Sequence, residues 1–247
     1  MQNEAAQSRM SVLKRPASVD AVAIVVPCYN VERYLQRALD SAFAQSYSDH
    51  SIYAVDDGST DRTAQVLQRN ASRITLISQS RGGAAKARNR AIQMSAEPFI
   101  AFLDADDEWL PQKLQRQIAL LKADPELGLV CSSCFVGDDR NASCPAFADK
   151  IPNSGRLFRH LARSCFVFTP TVVVRRQSLE DVGLFHESLA VCEDFNLWLR
   201  IAARWKIAFV SEPLAVTHKR PESLSSTISS EARLRSGVAA LEDVRAR

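Results

Sequence analysis

Four short clusters hold most of the residues able to do chemistry: Pro27-Cys28-Tyr29-Asn30, Asp56-Asp57, Arg81-Gly82-Gly83 and Asp104-Ala105-Asp106-Asp107. The last sets three carboxylates within four residues, and repulsion at that spacing costs free energy unless a cation compensates it. Aspartate oxygens suit Mg²⁺ or Mn²⁺, which keep coordination positions open for phosphate oxygens. A solvated acidic turn that also caps the next helix, with Asp107 as the cap, would produce the same residues. Asp56-Asp57-Gly58-Ser59 carries a similar alternative, a turn followed by a helix cap at Ser59 or Thr60.

These clusters can act together only if the chain gathers them. Val22 to Val26 is a β-branched run ending at Pro27, after which Leu35, Ala38, Leu39, Ala42 and Phe43 fall at helical spacing behind a cap at Asn30. Ile52 to Val55 leads into the turn-rich stretch Asp56 to Asp61 and a helix carrying Val66 and Leu67. Ile74 to Ile77 leads to Gly82-Gly83 and an Ala-rich helix through Ile92. Phe99 to Leu103 leads to the acidic cluster and a helix marked by Leu110, Leu114, Ile118 and Leu121, and Leu127 to Cys131 reads as a fifth strand. Such alternation predicts an α/β fold, a mostly parallel central sheet with helices on both faces, because each crossover needs a helix to return the chain to the same end. Ligands of open parallel sheets sit beyond the carboxyl ends of the strands, where all four clusters fall. From about Gly137 to Phe158 periodicity lapses, as in a surface loop. Thr171 to Val174 and Ile207 to Val210 then read as strands and Phe195 to Ala203 as a helix; a polar linker and a terminal helix with Leu234, Val238 and Leu241 close the chain.

Composition removes several classes of function. The 247 residues are 46% hydrophobic and 24% charged, with eight Gly and ten Pro, as in a folded globular protein. Subtracting 28 acidic from 31 basic side chains leaves +3, too slight to argue for a nucleic-acid partner. The longest clean apolar run, Ala21 to Val26, is far short of the roughly 20 residues that cross a bilayer as a helix. Residues 1 to 18 lack the apolar stretch of a secretory signal, so a cytoplasmic location is expected. Six cysteines are too sparse for a disulfide framework and read mostly as small buried hydrophobes; Cys131 and Cys134 have half of a zinc-site spacing without its complement. His50, His160 and His186 carry no motif, and Arg175 and Arg176 read as a solvated strand end. With no G-x-G-x-x-G after the first strand, no P-loop and no G-x-S-x-G elbow, phosphate binding falls to a metal, and dehydrogenase, P-loop and α/β-hydrolase chemistry lose support.

Taken in order, Val25-Val26-Pro27-Cys28-Tyr29-Asn30, Val55-Asp56-Asp57-Gly58-Ser59-Thr60-Asp61, Gly82-Gly83 with Ala87-Arg88-Asn89, and Phe102-Leu103-Asp104-Ala105-Asp106-Asp107 resemble family 2 glycosyltransferases of the GT-A fold. Thr169-Pro170-Thr171, Val182-Gly183-Leu184-Phe185 and Glu193-Asp194-Phe195-Asn196-Leu197-Trp198-Leu199-Arg200 resemble that family's second half. The likeness spans about residues 21–225. It implies a nucleotide-binding half over 21–130 and an acceptor and catalytic half over 131–225, between a flexible segment 1–20 and a tail or helix over 226–247.

The resemblance also implies roles. Asp57 would accept the ring N–H of a nucleotide base; a carboxylate only accepts, so uracil, thymine and guanine stay open, with UDP favoured by family frequency. Pro27, Tyr29 and Glu32 would line base and ribose, and Arg88 would help hold the nucleotide. In the D-x-D motif Asp104 would approach the ribose and Asp106 ligate Mg²⁺ or Mn²⁺. Asp194 would be the general base of an inverting transfer, with Glu193 orienting a loop or the acceptor. His218 or Arg220 would meet the diphosphate. The partners implied are a nucleotide-diphospho-sugar donor and a saccharide or lipid-linked saccharide acceptor, with peripheral contact at the inner membrane face left open and the pathway expected to be cell-surface polysaccharide synthesis. A catalytically silent nucleotide-sugar-binding module is the alternative, against which intact Asp106 and Asp194 stand. A nucleotidyltransferase would need a Gly-rich basic loop after the first strand, which Pro27-Cys28-Tyr29-Asn30 does not supply.

Overall fold

The computed structural model describes residues 18–137, 139–144, 151–189, 191–218 and 230–246. Ten strands form one sheet. β1 (Val22–Cys28), β2 (His50–Asp57), β3 (Thr75–Gln79) and β4 (Phe99–Phe102) are parallel in the order β3-β2-β1-β4. Each is followed by a helix or a helix-bearing loop: α1 (Leu35–Phe43), α2 (Thr63–Arg69), α3 (Ala84–Met94), and, after the two-residue β5 (Glu108–Trp109), α4 (Lys113–Ala123). β1 and β4 are apolar nearly throughout because the sheet is covered on both faces, so neither side of the strand has a solvated register.

Beyond β4 the sheet becomes mixed. β9 (Val173–Arg175) runs antiparallel between β4 and β6 (Leu127–Val136), and β6 pairs in parallel with β10 (Lys206–Thr217). β5 and β8 (Ser154–Gly155) pair antiparallel with β10, and β7 (Asp139–Cys144) pairs with β6, so strands edge the irregular segment. The parallel arrangement read from the βα alternation holds for β1–β4 and for β6 with β10. β9 has three residues, too few to show a direction in sequence, and its antiparallel course carries the chain from the second half back beside β4.

Two cores lie on opposite faces. One packs α1, α2 and α4 through Leu35, Leu39, Leu67, Leu114 and Ile118 against Val22, Ile24 and Val26. The other packs α3, α5 (Phe158–Arg163), α6 (Arg176–Val182) and α7 (Glu193–Arg204) against Ala23, Val25, Ile100 and Phe102. Strand residues alternate between faces, so Cys131 and Cys134, three apart on β6, fall in different cores and cannot share an ion. Cys28, Cys131 and Cys134 are buried, whereas Cys165 is exposed and Cys192 half-buried. The last helix, α8 (Ser230–Ala246), lies against α7, where the Asn196 amide donates to Ala240 O at 3.3 Å and to Asp243 at 3.0 Å.

Several local expectations change. Arg175 and Arg176 are half-buried clamps rather than a solvated end: the Arg175 guanidinium donates to the carbonyls of Leu121, Asp124 and Leu127, and that of Arg176 to Ile92 O, Glu97 O and Ser95 Oγ. Asp107 does not cap α4; it is buried and accepts the backbone N–H of His218 at 2.9 Å. Asn30 caps no helix, since its Oδ1 accepts the Thr60 N–H at 2.8 Å, and Ser59 accepts the Asn30 N–H. Donors at the start of α2 go instead to Asp61 and Glu32, which take the N–H groups of Thr63 and Arg62 at 2.9 and 2.7 Å.

Candidate active site

The carboxyl ends of β1, β2 and β4, the N-terminus of α3 and that of α7 converge on one rim. Pro27 is half-buried one residue before the end of β1, and Tyr29 stands 38% exposed just beyond the strand. Asn30 and Cys192 are the two non-glycine residues at positive φ among the described residues, 50° and 61°; one follows β1 and the other immediately precedes Glu193. Left-handed backbone costs a non-glycine residue roughly 1–2 kcal/mol, a strain that concentrates at working sites. Nothing in the sequence around Cys192 signals it.

Asp57, 1% exposed, is the most heavily bonded carboxylate of the rim. It accepts the backbone N–H groups of Gly82 and Gly83 at 2.7 and 2.8 Å, the Gln79 amide at 2.8 Å, and the Arg81 guanidinium in an ion pair. Gly58 makes this approach possible: its φ is +72°, and a Cβ there would come within 2.9 Å of the Arg81 nitrogen. The Arg81 guanidinium also lies over the Tyr29 ring, 3.5 Å from its centroid. Asp57 and Tyr29 are thereby joined through Arg81, and the further Asp57 donor, Gln79, is one that motif spacing alone does not single out. Glu32 sits at the start of α2, taking the Arg62 N–H.

Arg88, on the second turn of α3 and 6% exposed, joins the loop after β4 to the N-terminus of α7. One guanidinium nitrogen donates to Asp104 Oδ1 at 2.8 Å and the other to Glu193 Oε1 at 2.9 Å. Burial works against the Arg88 charge, but Asp104, Glu193 and Asp194 outweigh it and the group is held even more firmly protonated than a free arginine. The Glu193 carboxyl moves up, from burial first and from its neighbour Asp194, with Arg88 opposing. Beneath them Phe102, Phe185 and Trp198 form a cluster with ring centroids 5.3 to 5.8 Å apart, and Arg88 lies 5.4 Å over Phe185. The loop Val182 to Phe185 is fixed by Arg200, which donates to the carbonyls of Val182, Gly183 and Leu184, and by Asn89, which exchanges bonds with the Phe185 backbone.

Asp194 opens α7, where negative charge is favoured by the helix N-terminus. Its Oδ2 accepts the Thr169 hydroxyl at 2.9 Å, and its Oδ1 accepts the Phe195 N–H at 2.7 Å. Asp106 is half-buried on the loop after β4, and its backbone carbonyl accepts from Arg37 at 3.2 Å. His218 ends beside that loop, its Nε2 2.7 Å from Glu108 Oε1, with Arg37 on the same carboxylate at 3.1 Å. Arg220 lies outside the described residues. Among the described residues no three His, Cys, Asp or Glu side chains converge as a ready-made metal cage. The half-buried Asp104 and Asp106 are carboxylates of the kind that hold Mg²⁺ or Mn²⁺, which take one or two such ligands and complete their shell with substrate phosphates and water.

The family model described as Glycosyl transferase family 2 matches residues 23–183. Over 182 residues the chain is 31% identical to the UDP-Glc:alpha-D-GlcNAc-diphosphoundecaprenol beta-1,3-glucosyltransferase WfgD of Escherichia coli, covering 73% of this chain and 69% of WfgD. It is 28% identical to an uncharacterised glycosyltransferase of Rickettsia typhi over 78% of its own residues, and spans 62% of that relative's length. Among solved structures, S. aureus TarS 1-349 in complex with UDP-GlcNAc superposes with TM-score 0.68 at 21% identity, over 85% of this chain and 61% of that one. The mannosyltransferase PcManGT from Pyrobaculum calidifontis, in complex with GDP-Man and Mn²⁺, superposes with TM-score 0.67 at 22% identity, over 95% of this chain and 69% of that one. These likenesses establish the fold as that of GT-A glycosyltransferases.

Proposed function

The chain belongs to glycosyl transferase family 2, and from that membership and the rim geometry we propose that it transfers a hexose-type sugar, with inversion, from a UDP-sugar to a hydroxyl of a lipid-linked saccharide. The single observation carrying this reading is the Arg88 guanidinium, which ties Asp104 of the D-x-D loop to Glu193 beside Asp194. Pro27, Tyr29 and Asp57 bind the base and ribose, with Asp57 as the acceptor for a ring N–H. Since Asp57 already accepts from four groups, nucleotide entry draws on the most exposed of them, Arg81, to release or share an oxygen.

Asp106, with Asp104 nearby, would hold Mg²⁺ or Mn²⁺, the ion seen with GDP-Man in PcManGT. Bound there, such an ion neutralises charge on the departing nucleoside diphosphate. Asp194 takes the proton of the incoming hydroxyl as its oxygen attacks the anomeric carbon in line. Arg88 holds Asp104 and Glu193 so that donor and base keep one separation, and His218 or Arg220 would meet the diphosphate. A lipid-linked acceptor follows the activity of WfgD and accords with a peripheral role at a membrane face in surface polysaccharide synthesis. No helix among the described residues is long and apolar enough to cross a membrane.

A thermal-shift screen of UDP-, dTDP- and GDP-sugars with Mn²⁺ tests the donor, since a bound ligand raises the melting temperature by mass action. UDP-sugars should give the largest shift, and Asp106→Ala should abolish its metal-dependent part. Asp194→Asn should keep the shift and lose turnover; wild-type turnover in that variant would remove the base assignment.

A further inference from the structure

The catalytic reading leaves Thr169 without a task, yet this residue is 5% exposed and its hydroxyl donates to Asp194 Oδ2 at 2.9 Å. We propose that Thr169 is a positioning residue for the base, and that the turn carrying it links the base to the acidic loop after β4; the proposal rests on Asp194 being that base. Thr169, Pro170 and Thr171 form a single 3-10 turn, closed by the Val172 N–H on Thr169 O at 3.1 Å. Its three residues are all buried.

Neighbouring elements hold this turn on several sides. The Trp109 indole N–H donates to Pro170 O at 2.7 Å, and the Gln117 amide to Thr171 O at 2.7 Å. The Thr171 hydroxyl returns to Phe168 O at 2.7 Å, and the Phe102 N–H at the end of β4 reaches Val172 O at 3.3 Å. Trp109 follows Asp104, Asp106 and Asp107 by two to five residues, and Phe102 precedes Asp104 by two. The same short stretch that presents the acidic cluster therefore fixes, through Trp109 and Phe102, the turn that fixes Asp194.

A hydroxyl has one proton to donate, and Thr169 spends it on a carboxylate, a charge-assisted bond of well-defined direction. Oδ1 of Asp194 is meanwhile directed by the Phe195 N–H at 2.7 Å. An ionised carboxylate offers about four acceptor sites, so with two used the carboxylate is fixed in rotation and still has lone pairs for an incoming hydroxyl. Without the Thr169 bond the carboxylate of Asp194 can turn about its side-chain torsion, and near-attack geometry is lost while the nucleotide rim, built on Asp57, Tyr29 and Arg81, is untouched.

The test uses the full chain with Mn²⁺ and whichever of UDP-glucose, UDP-GlcNAc or GDP-mannose gives the largest thermal shift. Turnover is read as release of nucleoside diphosphate in the presence of a GlcNAc-diphospho-alkyl acceptor. Thr169→Val, which keeps the shape and removes the hydroxyl, should lower kcat about 10- to 100-fold with donor KM and donor thermal shift unchanged, the size expected when a reacting group is misplaced by about an ångström. Thr169→Ser should recover turnover to within a few-fold of wild type, which a packing role for the lost methyl would not allow. Trp109→Phe, which keeps a ring and removes the donor to Pro170 O, should lower kcat in the same direction and leave donor KM alone. If Thr169→Val turns over like wild type while Asp194→Asn is inactive, the positioning role is overturned and the base stands. If Asp194→Asn itself turns over like wild type, base and positioning role fall together. A parallel loss of donor binding in Thr169→Val would also overturn the proposal, since the bond would then serve the nucleotide rim.

Discussion

A guanidinium can donate to two carboxylates at once in its own plane, and Arg88 does so from a buried position while its Nε has no partner among the described residues. Lysine at this place would keep the charge but reach one carboxylate at a time. Arg88→Lys should therefore lower turnover about tenfold or more and unfolding stability by about 2 kcal/mol, the scale of a half-broken buried ion pair, read by steady-state kinetics and urea titration. Asp57 makes the complementary case. Asn in its place would turn its amide NH₂ toward either the Gly82 or the Gly83 N–H, which donate to different oxygens of Asp57, so Asp57→Asn should lose about 1–3 kcal/mol in urea titration and most of the UDP-sugar thermal shift. Residue types placed carboxylates beyond the strand ends in sequence because the βα alternation fixes where each strand stops. They did not announce which donors each carboxylate takes. Asp107 goes to the His218 backbone and Arg176 to carbonyls 79 and 84 residues away, and such long-range partners leave no local signal.

Helices and strands were legible where periodicity was long. β1, α1, α3 and α4 lie close to where the apolar spacing puts them, and α7 only adds Glu193-Asp194 at its start. Short elements were not, and the 3-10 turn at Thr169 with three-residue β9 replaces a single strand read over Thr171 to Val174. α4 also hides a group no pattern flags. Lys113 is fully buried, donates to Gln117 Oε1 at 2.7 Å and lies 4.2 Å over the Trp109 ring. Burial holds its amine well below the usual lysine range. Between that lowered folded value and the unfolded value near 10.5 the unfolded chain binds one more proton, so this group makes stability rise with pH through that window. The thiols of Cys28 and Cys131 are pushed up by burial and act oppositely above about pH 9, where the unfolded chain loses protons first. Lys113→Met should accordingly flatten the rise of stability with pH below about pH 10.5, by up to about 1.4 kcal/mol per pH unit, measured by urea titration at several pH values. An unchanged slope would mean that the amine stays charged inside the fold.

Over the whole molecule, the proposed nucleotide rim and the proposed base belong to different stretches of chain, joined by Arg88 and by the Thr169 turn. The rim rests on β1–β4 and α3, whereas Asp194 is borne by α7, whose outer side is covered by α8 through Asn196, Ala240 and Asp243. Asn196 is fully buried and also accepts from Arg200 at 2.9 Å, and Arg200 in turn holds the carbonyls of Val182 to Leu184. Removing residues 226–247 would strip the Asn196 amide of its partners and loosen this chain of bonds from the outside. Losing that cover should lower stability by about 2 kcal/mol, which for a domain of this size is a fall of about 4–8 °C in melting temperature. Donor affinity should hardly move, because none of Pro27, Tyr29, Asp57 or Arg81 touches α8 in any of its bonds described above. kcat should fall more than donor KM rises, since α7 sets the angle at which Asp194 meets the acceptor. Differential scanning fluorimetry with and without UDP-sugar, run beside turnover, separates these effects: an equal loss of donor binding and turnover would show that α8 supports the fold as a unit and not the base in particular.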